Sequence, residues 1–238
     1  MSSMQAASTN RIWPSWWRFA GVDGILWAIF FFIGAFALQG ETPSRTDSIE
    51  DIRKYWVEDG DTYLIGDYLL GIAFVIFFLP YVIGVAAVLR RAEGDPPIWS
   101  NIAYTGALIG VAFAGVAGLA WSTMALNLKD NPDLDDATIR LLMDLDAQGF
   151  VISQFGLALF FGAAGFVIAR TGVLWKWLGG LAILAGTLLL IGAAWPIDGD
   201  DEGAIAIFGF VGFPIAALFI LISSVRLIML KEPPSGTA

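Results

Sequence analysis

Hydrophobic positions along the chain form six long stretches, separated by short polar segments. A bilayer core about 30 Å thick needs roughly 20 apolar residues when they are wound into a helix. Each stretch reaches that length, and the segments between them are rich in Gly, Pro and Asp, as connections are. The pattern therefore predicts an all-α membrane protein with six transmembrane helices, at residues 19–39, 62–89, 100–126, 147–169, 174–195 and 204–229.

Two of the polar connections carry an amphipathic helical pattern of their own. The first, TDSIEDIRKYWVEDGD, places Asp47 three residues before Glu50, which is typical of a helix start, and we expect this outer helix to end at Gly60. Its apolar face should rest on the membrane or on neighbouring helices. That face holds Ile49, Ile52 and Trp56. The second, NPDLDDATIRLLMDLDAQ, is a similar outer helix, and nothing stops it from running through Gly149 into the fourth span.

The two outer segments also resemble each other at an offset of 87 residues. Six identities fall within residues 51–74, including Arg53 with Arg140, and Asp67 of the second span aligns with Gln154 of the fourth. The suggested plan is a first span, two tandem units of outer helix plus helical hairpin, and a closing sixth span. Parallel repeats are common in transport folds and also arise by ordinary duplication, so the pattern leaves a genuine repeat open.

The charges predict how the chain crosses the membrane. With the N-terminus inside, the inner segments carry net +5 and the outer loops net −12, and Asp23 and Asp67 complete the total of −9. Because Lys and Arg collect on the cytoplasmic side, we expect both termini in the cytoplasm of a bacterial plasma membrane. The expected division is a cytoplasmic segment at 1–17, a transmembrane domain at 18–230 and a cytoplasmic tail at 231–238.

The composition removes most catalytic chemistry. The chain has no cysteine and no histidine, which excludes disulfides, thiol nucleophiles, histidine metal sites and imidazole acid–base catalysis. Apart from Lys176, at the inner end of the fifth, no lysine lies within a predicted span, and the close carboxylates Asp144 and Asp146 point apart on a helix. We therefore expect a protein that is not an enzyme and that has no cofactor and no bound metal.

Asp67 is a carboxylate inside a membrane-length stretch, about 9 Å deeper along the helix than Asp61. A charge at the bilayer centre costs about 2.5 to 3.5 kcal/mol, so Asp67 must face protein or water. Polar residues predicted at a similar level suggest an outer-facing cleft formed by Tyr63, Asp67, Asn127, Asp144, Gln148, Ser153 and Gln154. Either the acid attracts cations and exchanges protons there, or it bonds Gln154, a tyrosine or a backbone group to hold helices together.

Two further groups of residues carry predictions. Asp23, near the inner surface, is expected to be an anchor that snorkels or pairs with Arg90 or Arg91. The third span has a stripe of small residues at four-residue spacing, which lets another helix approach closely. The stripe consists of Gly106, Gly110, Ala114, Gly118 and Ser122. It favours a central packing helix, with a dimer face as the alternative.

Three segments carry a resemblance to a known family: SIEDIRKYWVEDGDTYLIGDYLLG, LRRAEGDPP and ARTGVLWKWLGGLAILAG. They resemble a family of uncharacterised six-span integral membrane proteins common in actinobacteria. In that family an outer helix leads into a span that ends in a basic turn, and a later RTGxLxxWLG turn opens another span. The similarity covers most of residues 48–190. It implies a six-span topology and no activity, because no reaction or ligand is established for the family.

Together these observations favour a non-enzymatic multi-pass protein of a bacterial plasma membrane that acts as a binding, scaffolding or accessory subunit. Apart from the lipid bilayer, the expected partner is another membrane protein or a cationic partner facing the acidic outer loops, and nucleic acid is not expected. The alternative is a small transporter or channel for a cation, proton or small amphiphile. It would use the polar cleft around Asp67 and Gln154.

Overall fold

Six membrane-length helical segments make up the fold. The computed structural model describes residues 16–197 and 203–230, which contain helices and no strand. The segments long and apolar enough to cross a membrane are Trp16–Gln39, Ile49–Glu93, Ile98–Asp130, Asp136–Thr171, Lys176–Ile197 and Ala206–Met229. The six predicted spans fall on these segments, so the all-α, six-span prediction is confirmed. The predicted N-terminal segment up to residue 15 and the tail from residue 231 lie outside the described residues.

The helices are numbered here in chain order. One π-helical segment ends the first span. Another interrupts the second span two residues before Pro80, whose missing N–H removes a helical hydrogen bond. The helices are α1 (Trp16–Phe32, continued by the π segment Ile33–Gln39), α2 (Ile49–Gly71, continued by the π segment Ile72–Phe78), α3 (Leu79–Glu93), α4 (Ile98–Asp130), α5 (Asp136–Thr171), α6 (Lys176–Gly192) and α7 (Ala206–Met229).

The sequence predicted that the first outer helix ends at Gly60. This prediction is wrong, because the helix continues into the membrane-length part of α2. Its N-cap is Ser48, whose side chain accepts a hydrogen bond from the Asp51 backbone at 3.1 Å, one residue later than predicted. A helical glycine costs about 1 kcal/mol, which packing can offset. At Gly60, the position that a side chain would occupy lies next to Ala125 of α4. As predicted, α5 runs unbroken through Gly149.

Neighbouring helices cross closely at glycines. A Cβ on Gly106 of α4 would lie only 2.7 Å from the Gly156 carbonyl of α5. Because lipid is as apolar as the helices, close packing rather than burial from water holds such helices together. Within the described chain, glycine pairs lie at four crossings: Gly34–Gly66 (α1 π segment with α2), Gly110–Gly156 (α4 with α5), Gly165–Gly179 (α5 with α6) and Gly192–Gly209 (α6 with α7).

Three helical segments are longer than a bilayer core requires. Ile49–Glu93, α4 and α5 have 45, 33 and 36 residues. These lengths correspond to about 67, 50 and 54 Å, against roughly 30 Å of hydrocarbon. The surplus lies where α2 and α5 begin and α4 ends, on the side that the sequence predicts to face outward. We call this part, residues 40–63 and 120–148, the cap.

The cap has a hydrophobic core of its own, separate from the core within the spans. Trp56 contacts Trp121 of α4 with ring centres 5.0 Å apart. The six largest fully buried side chains of this core are at most 2% exposed: Ile52, Trp56, Met124, Leu128, Ile139 and Met143. The apolar face of the first outer helix therefore packs on neighbouring helices, one of the two expected arrangements. Where such side chains would otherwise face water, their burial is driven by the hydrophobic effect.

Candidate functional site

Asp67 is half-buried on α2 and faces α4. Its Oδ2 accepts a hydrogen bond from the Ser122 hydroxyl at 2.6 Å, and a Cβ on Gly118 would lie 2.9 Å from its Oδ1. The small-residue stripe of α4 therefore contacts two neighbours. At one end Gly106 lies against α5, and at the other Gly118 leaves room for the carboxylate; Ala114 between them is half-buried.

Gln154 lies in different surroundings from Asp67. It is 3% exposed, and its Nε2 would lie 3.1 Å from a Cβ on Gly209 of α7. Its Oε1 is buried without a hydrogen-bond partner. The hydrogen bond suggested between Asp67 and Gln154 is not formed, because one side chain faces α4 and the other faces α7.

Two more of the predicted cleft residues are buried in packed surroundings. Tyr63 lies in the cap core, where its ring is 4.9 Å from that of Trp56 and 5.7 Å from that of Trp121. Ser153 is 2% exposed on α5. Both residues contribute to helix packing where they lie.

The remaining three predicted cleft residues are on the surface of the cap. Asn127 donates a hydrogen bond to the Thr123 carbonyl of its own helix at 2.8 Å. Asp144 forms an ion pair with Arg45, and Gln148 is exposed. The seven residues are thus divided among several surroundings. Two grooves in the described chain lie along α4, α5 and α6 and are lined mainly by apolar side chains.

One of the two arrangements expected for the inner anchor, an ion pair of Asp23, is not formed among the described residues. Within the described chain, Asp23 is half-buried and forms no ion pair with Arg90 or Arg91. The Arg90 Nε instead donates to the Asn101 side chain at 2.8 Å, and its guanidinium lies 5.3 Å from the centre of the Tyr104 ring. Arg90 thus contacts the Asn101 amide and the Tyr104 ring, both near the start of α4, in place of the Asp23 carboxylate.

The polar groups that the fold does bring together lie in the cap. Arg53 of α2 donates to the Pro132 carbonyl at 2.6 Å, to the Leu134 carbonyl, and to the Asp136 carboxylate at 2.7 Å. These acceptors belong to the α4–α5 connection and the first turn of α5. Arg53 therefore attaches α2 to the start of α5.

Arg140 makes the opposite connection. It donates to the Arg45 carbonyl at 2.6 Å and to the Asp47 carbonyl at 2.8 Å, both in the connection that precedes α2. The Arg45 side chain pairs with Asp144 of α5 and lies 5.7 Å from the Trp195 ring centre. Arg53 and Arg140 are identities in the 87-residue repeat, but the repeat pattern does not predict that each binds the other unit.

The two N-caps beside these arginines differ in chemistry. The Asp135 carboxylate accepts hydrogen bonds from the Thr138 hydroxyl at 2.6 Å and from the Thr138 backbone at 2.9 Å. These bonds stabilise the charged form and hold the pKa of Asp135 below its usual range. Ser48 caps α2 with a neutral hydroxyl.

The cap separates its charges. It contains thirteen carboxylates and five basic side chains, a net charge of −8. Eleven of the carboxylates are exposed, whereas all three arginines are half-buried. Lys129 forms an ion pair with Asp61, and the described chain shows no ion pair for Lys54 or Arg140. The cations are largely held within the fold, and the surface is acidic.

Comparisons with known proteins identify no family. No family model, no curated protein and no solved structure matches this chain. Of what the sequence resemblance implied, the six membrane-length helices are present.

Proposed function

We propose that this protein is a non-enzymatic accessory or scaffolding subunit of a bacterial plasma membrane, and that its cap binds a cationic surface of a partner. The observation that carries the proposal is the charge separation in the cap. Eleven carboxylates of the cap are exposed, whereas its three arginines are half-buried and bind carbonyls or carboxylates within the cap. An acidic surface of this kind attracts positively charged partners and speeds their association.

The packing of the cap also supports a binding role. Its separate core and its arginine contacts fix the outer parts of α2, α4 and α5 relative to one another. A surface held in one conformation loses less conformational entropy when it binds. The lengths of the three long helices exceed a bilayer core, which supports a surface outside the membrane that a second protein can reach.

The transport alternative has less support. A pathway through the predicted cleft needs Asp67 and Gln154 to face a common space, whereas they face α4 and α7. The observation that favours transport is the half-buried carboxylate of Asp67 within a membrane-length helix. The Asp67 carboxylate accepts a hydrogen bond from the Ser122 hydroxyl. A structural role, in which Asp67 holds α2 against α4, requires the same hydrogen bond.

The test of the accessory role is purification of the full chain from its own membrane in mild detergent, followed by mass spectrometry of the intact complex. We expect a stoichiometric companion chain that dissociates when the exposed acids Glu58 and Asp59 are both changed to lysine. The matched control is Lys54→Glu, which changes an exposed neighbouring charge in the opposite sense and should retain the companion.

Two results would reject this function. The first is a chain that purifies alone from its own membrane. The second is cation uptake by liposomes containing the purified chain that persists with a protonophore present and is lost in Asp67→Asn, since that result favours the transporter.

A further inference from the structure

The arginine contacts of the cap repeat at the offset of 87 residues. Arg53 and Arg140 are separated by that number, and so are their acceptors: Arg53 binds the carbonyls of residues 132 and 134, and Arg140 binds those of residues 45 and 47. Each arginine therefore binds two carbonyls of the other unit. Those two carbonyls are at positions equivalent to the two carbonyls of its own unit that the other arginine binds. Contacts of i with j matched by contacts of j with i are the mark of a two-fold relationship.

The local structure around the acceptors repeats at the same offset. The Asp47 backbone N–H donates to the Ser44 carbonyl at 3.2 Å, and the Leu134 N–H donates to the Asn131 carbonyl at 3.2 Å. The next residue in each unit is the N-cap, and α2 and α5 begin one residue later, at Ile49 and Asp136. Both connections thus use the same turn and the same helix start.

The buried faces of the two outer helices repeat as well. Ile52 and Ile139 are both fully buried, and Trp56 and Met143 are 1% and 2% exposed. The two faces meet in the cap core. The offset seen in the sequence therefore corresponds to equivalent hydrogen bonds, helix starts and buried positions in the fold.

We propose that the cap is a reciprocal lock, in which two equivalent units each hold the other's helix start through one arginine and which opens and closes as a single unit. The contacts form a closed cycle. Arg53 on α2 holds the turn that starts α5, and α5 carries Arg140, which holds the turn that starts α2. Loosening either contact frees the helix start that positions the other arginine.

Arginine is suited to this role because its planar guanidinium donates in two fixed directions. In each unit, the two nitrogens of one guanidinium reach carbonyls two residues apart. Lysine keeps the charge but concentrates its donors on a single nitrogen, so it does not reproduce this fork. The four repeated acceptors are backbone carbonyls. The arginine contacts therefore depend on where the backbone lies more than on the pairing of opposite charges.

The lock is tested by hydrogen exchange of the full chain in a lipid nanodisc, read by mass spectrometry over residues 44–52 and 131–139. In Arg53→Ala we expect exchange to accelerate on the order of tenfold in both segments, although Arg53 directly contacts only the second. Arg140→Ala should give the same pattern, and the double variant should add little to either single one. Lys54→Ala, which removes a neighbouring exposed charge, should change neither segment.

Arg53→Lys provides the second variant. We expect it to accelerate both segments to a smaller extent than Arg53→Ala, because one of the two carbonyl contacts is retained. Acceleration confined to residues 131–139 in the Arg53 variants would overturn the lock, since it would show a local contact. Equal acceleration throughout α6 would overturn it too, since the cap would then not open separately from the membrane-spanning helices.

Discussion

Ser48 and Asp135 cap the two outer helices at equivalent positions with different chemistry. The serine hydroxyl does not change its charge in the physiological range, whereas the aspartate caps as a carboxylate with two bonds from Thr138. Because these bonds favour the ionised form, Asp135 links the stability of the second unit to pH and Ser48 does not do so for the first.

Replacing Asp135 by serine should remove that pH dependence. The folded pKa of Asp135 is lowered, so its stabilisation is present above the unfolded pKa and is lost as pH falls through the folded value. Thermal unfolding followed by circular dichroism should show that the parent chain loses more stability on acidification than Asp135→Ser. The control, Ser48→Ala, should lower stability by about 0.5 to 2 kcal/mol at every pH. Equal acid sensitivity of the parent and Asp135→Ser would contradict the assignment.

The partner of Asp67 shows what residue-level prediction lacked. Hydropathy and helical rise gave its depth, and the cost of a charge in lipid gave its need for a polar contact. Neither gives the rotation of one helix about its axis relative to the next. Ser122 and Gln154 were both at suitable depths, and only the packing of α2 on α4 shows that Ser122 is the donor.

At the scale of elements, glycines set how closely the helices approach. Gly156 of α5 faces the backbone of α4, whereas Gly162, further along α5, has open space where a Cβ would lie. The two residues share a helix and a residue type, but only at Gly156 would an added Cβ point into a neighbouring helix.

This difference predicts opposite effects of the same substitution. Gly156→Ala should destabilise the bundle by about 1 to 3 kcal/mol, because its Cβ would lie 2.7 Å from the Gly106 carbonyl and the helices must separate. Gly162→Ala should be neutral or stabilise by up to about 1 kcal/mol through helix propensity alone. Unfolding in mixed micelles with increasing denaturing detergent measures both variants. Equal losses of stability would show that the α4–α5 crossing does not depend on Gly156.

Element boundaries were harder to predict than the elements. The six apolar stretches identified the spans because hydrocarbon requires about 20 apolar residues per helix. The end expected at Gly60 was wrong because glycine acts as a stop only where the chain takes up another conformation, and here Ala125 packs against it within a continuous helix. Contacts between distant segments therefore decided the length of α2.

At the scale of the whole molecule, the charge distribution predicts the direction of insertion. The cap should face outward and the turn between α3 and α4 should face the cytoplasm. Since the chain has no cysteine, a single introduced cysteine reports its own position. A membrane-impermeant maleimide should label Lys54→Cys in intact cells and Asp95→Cys only after permeabilisation. Both parent residues are exposed, and the reverse labelling pattern would contradict the predicted orientation.

The half-buried arginines have a consequence for the water around the cap. With its arginines half-buried and eleven carboxylates exposed, the surface has a negative potential that gathers mobile counterions within a Debye length of about 8 Å at physiological ionic strength. Protons are enriched in the same layer, so the local acidity at the cap exceeds that of the bulk medium. A basic protein that docks there displaces this ion atmosphere, and the entropy of the released ions contributes to its binding.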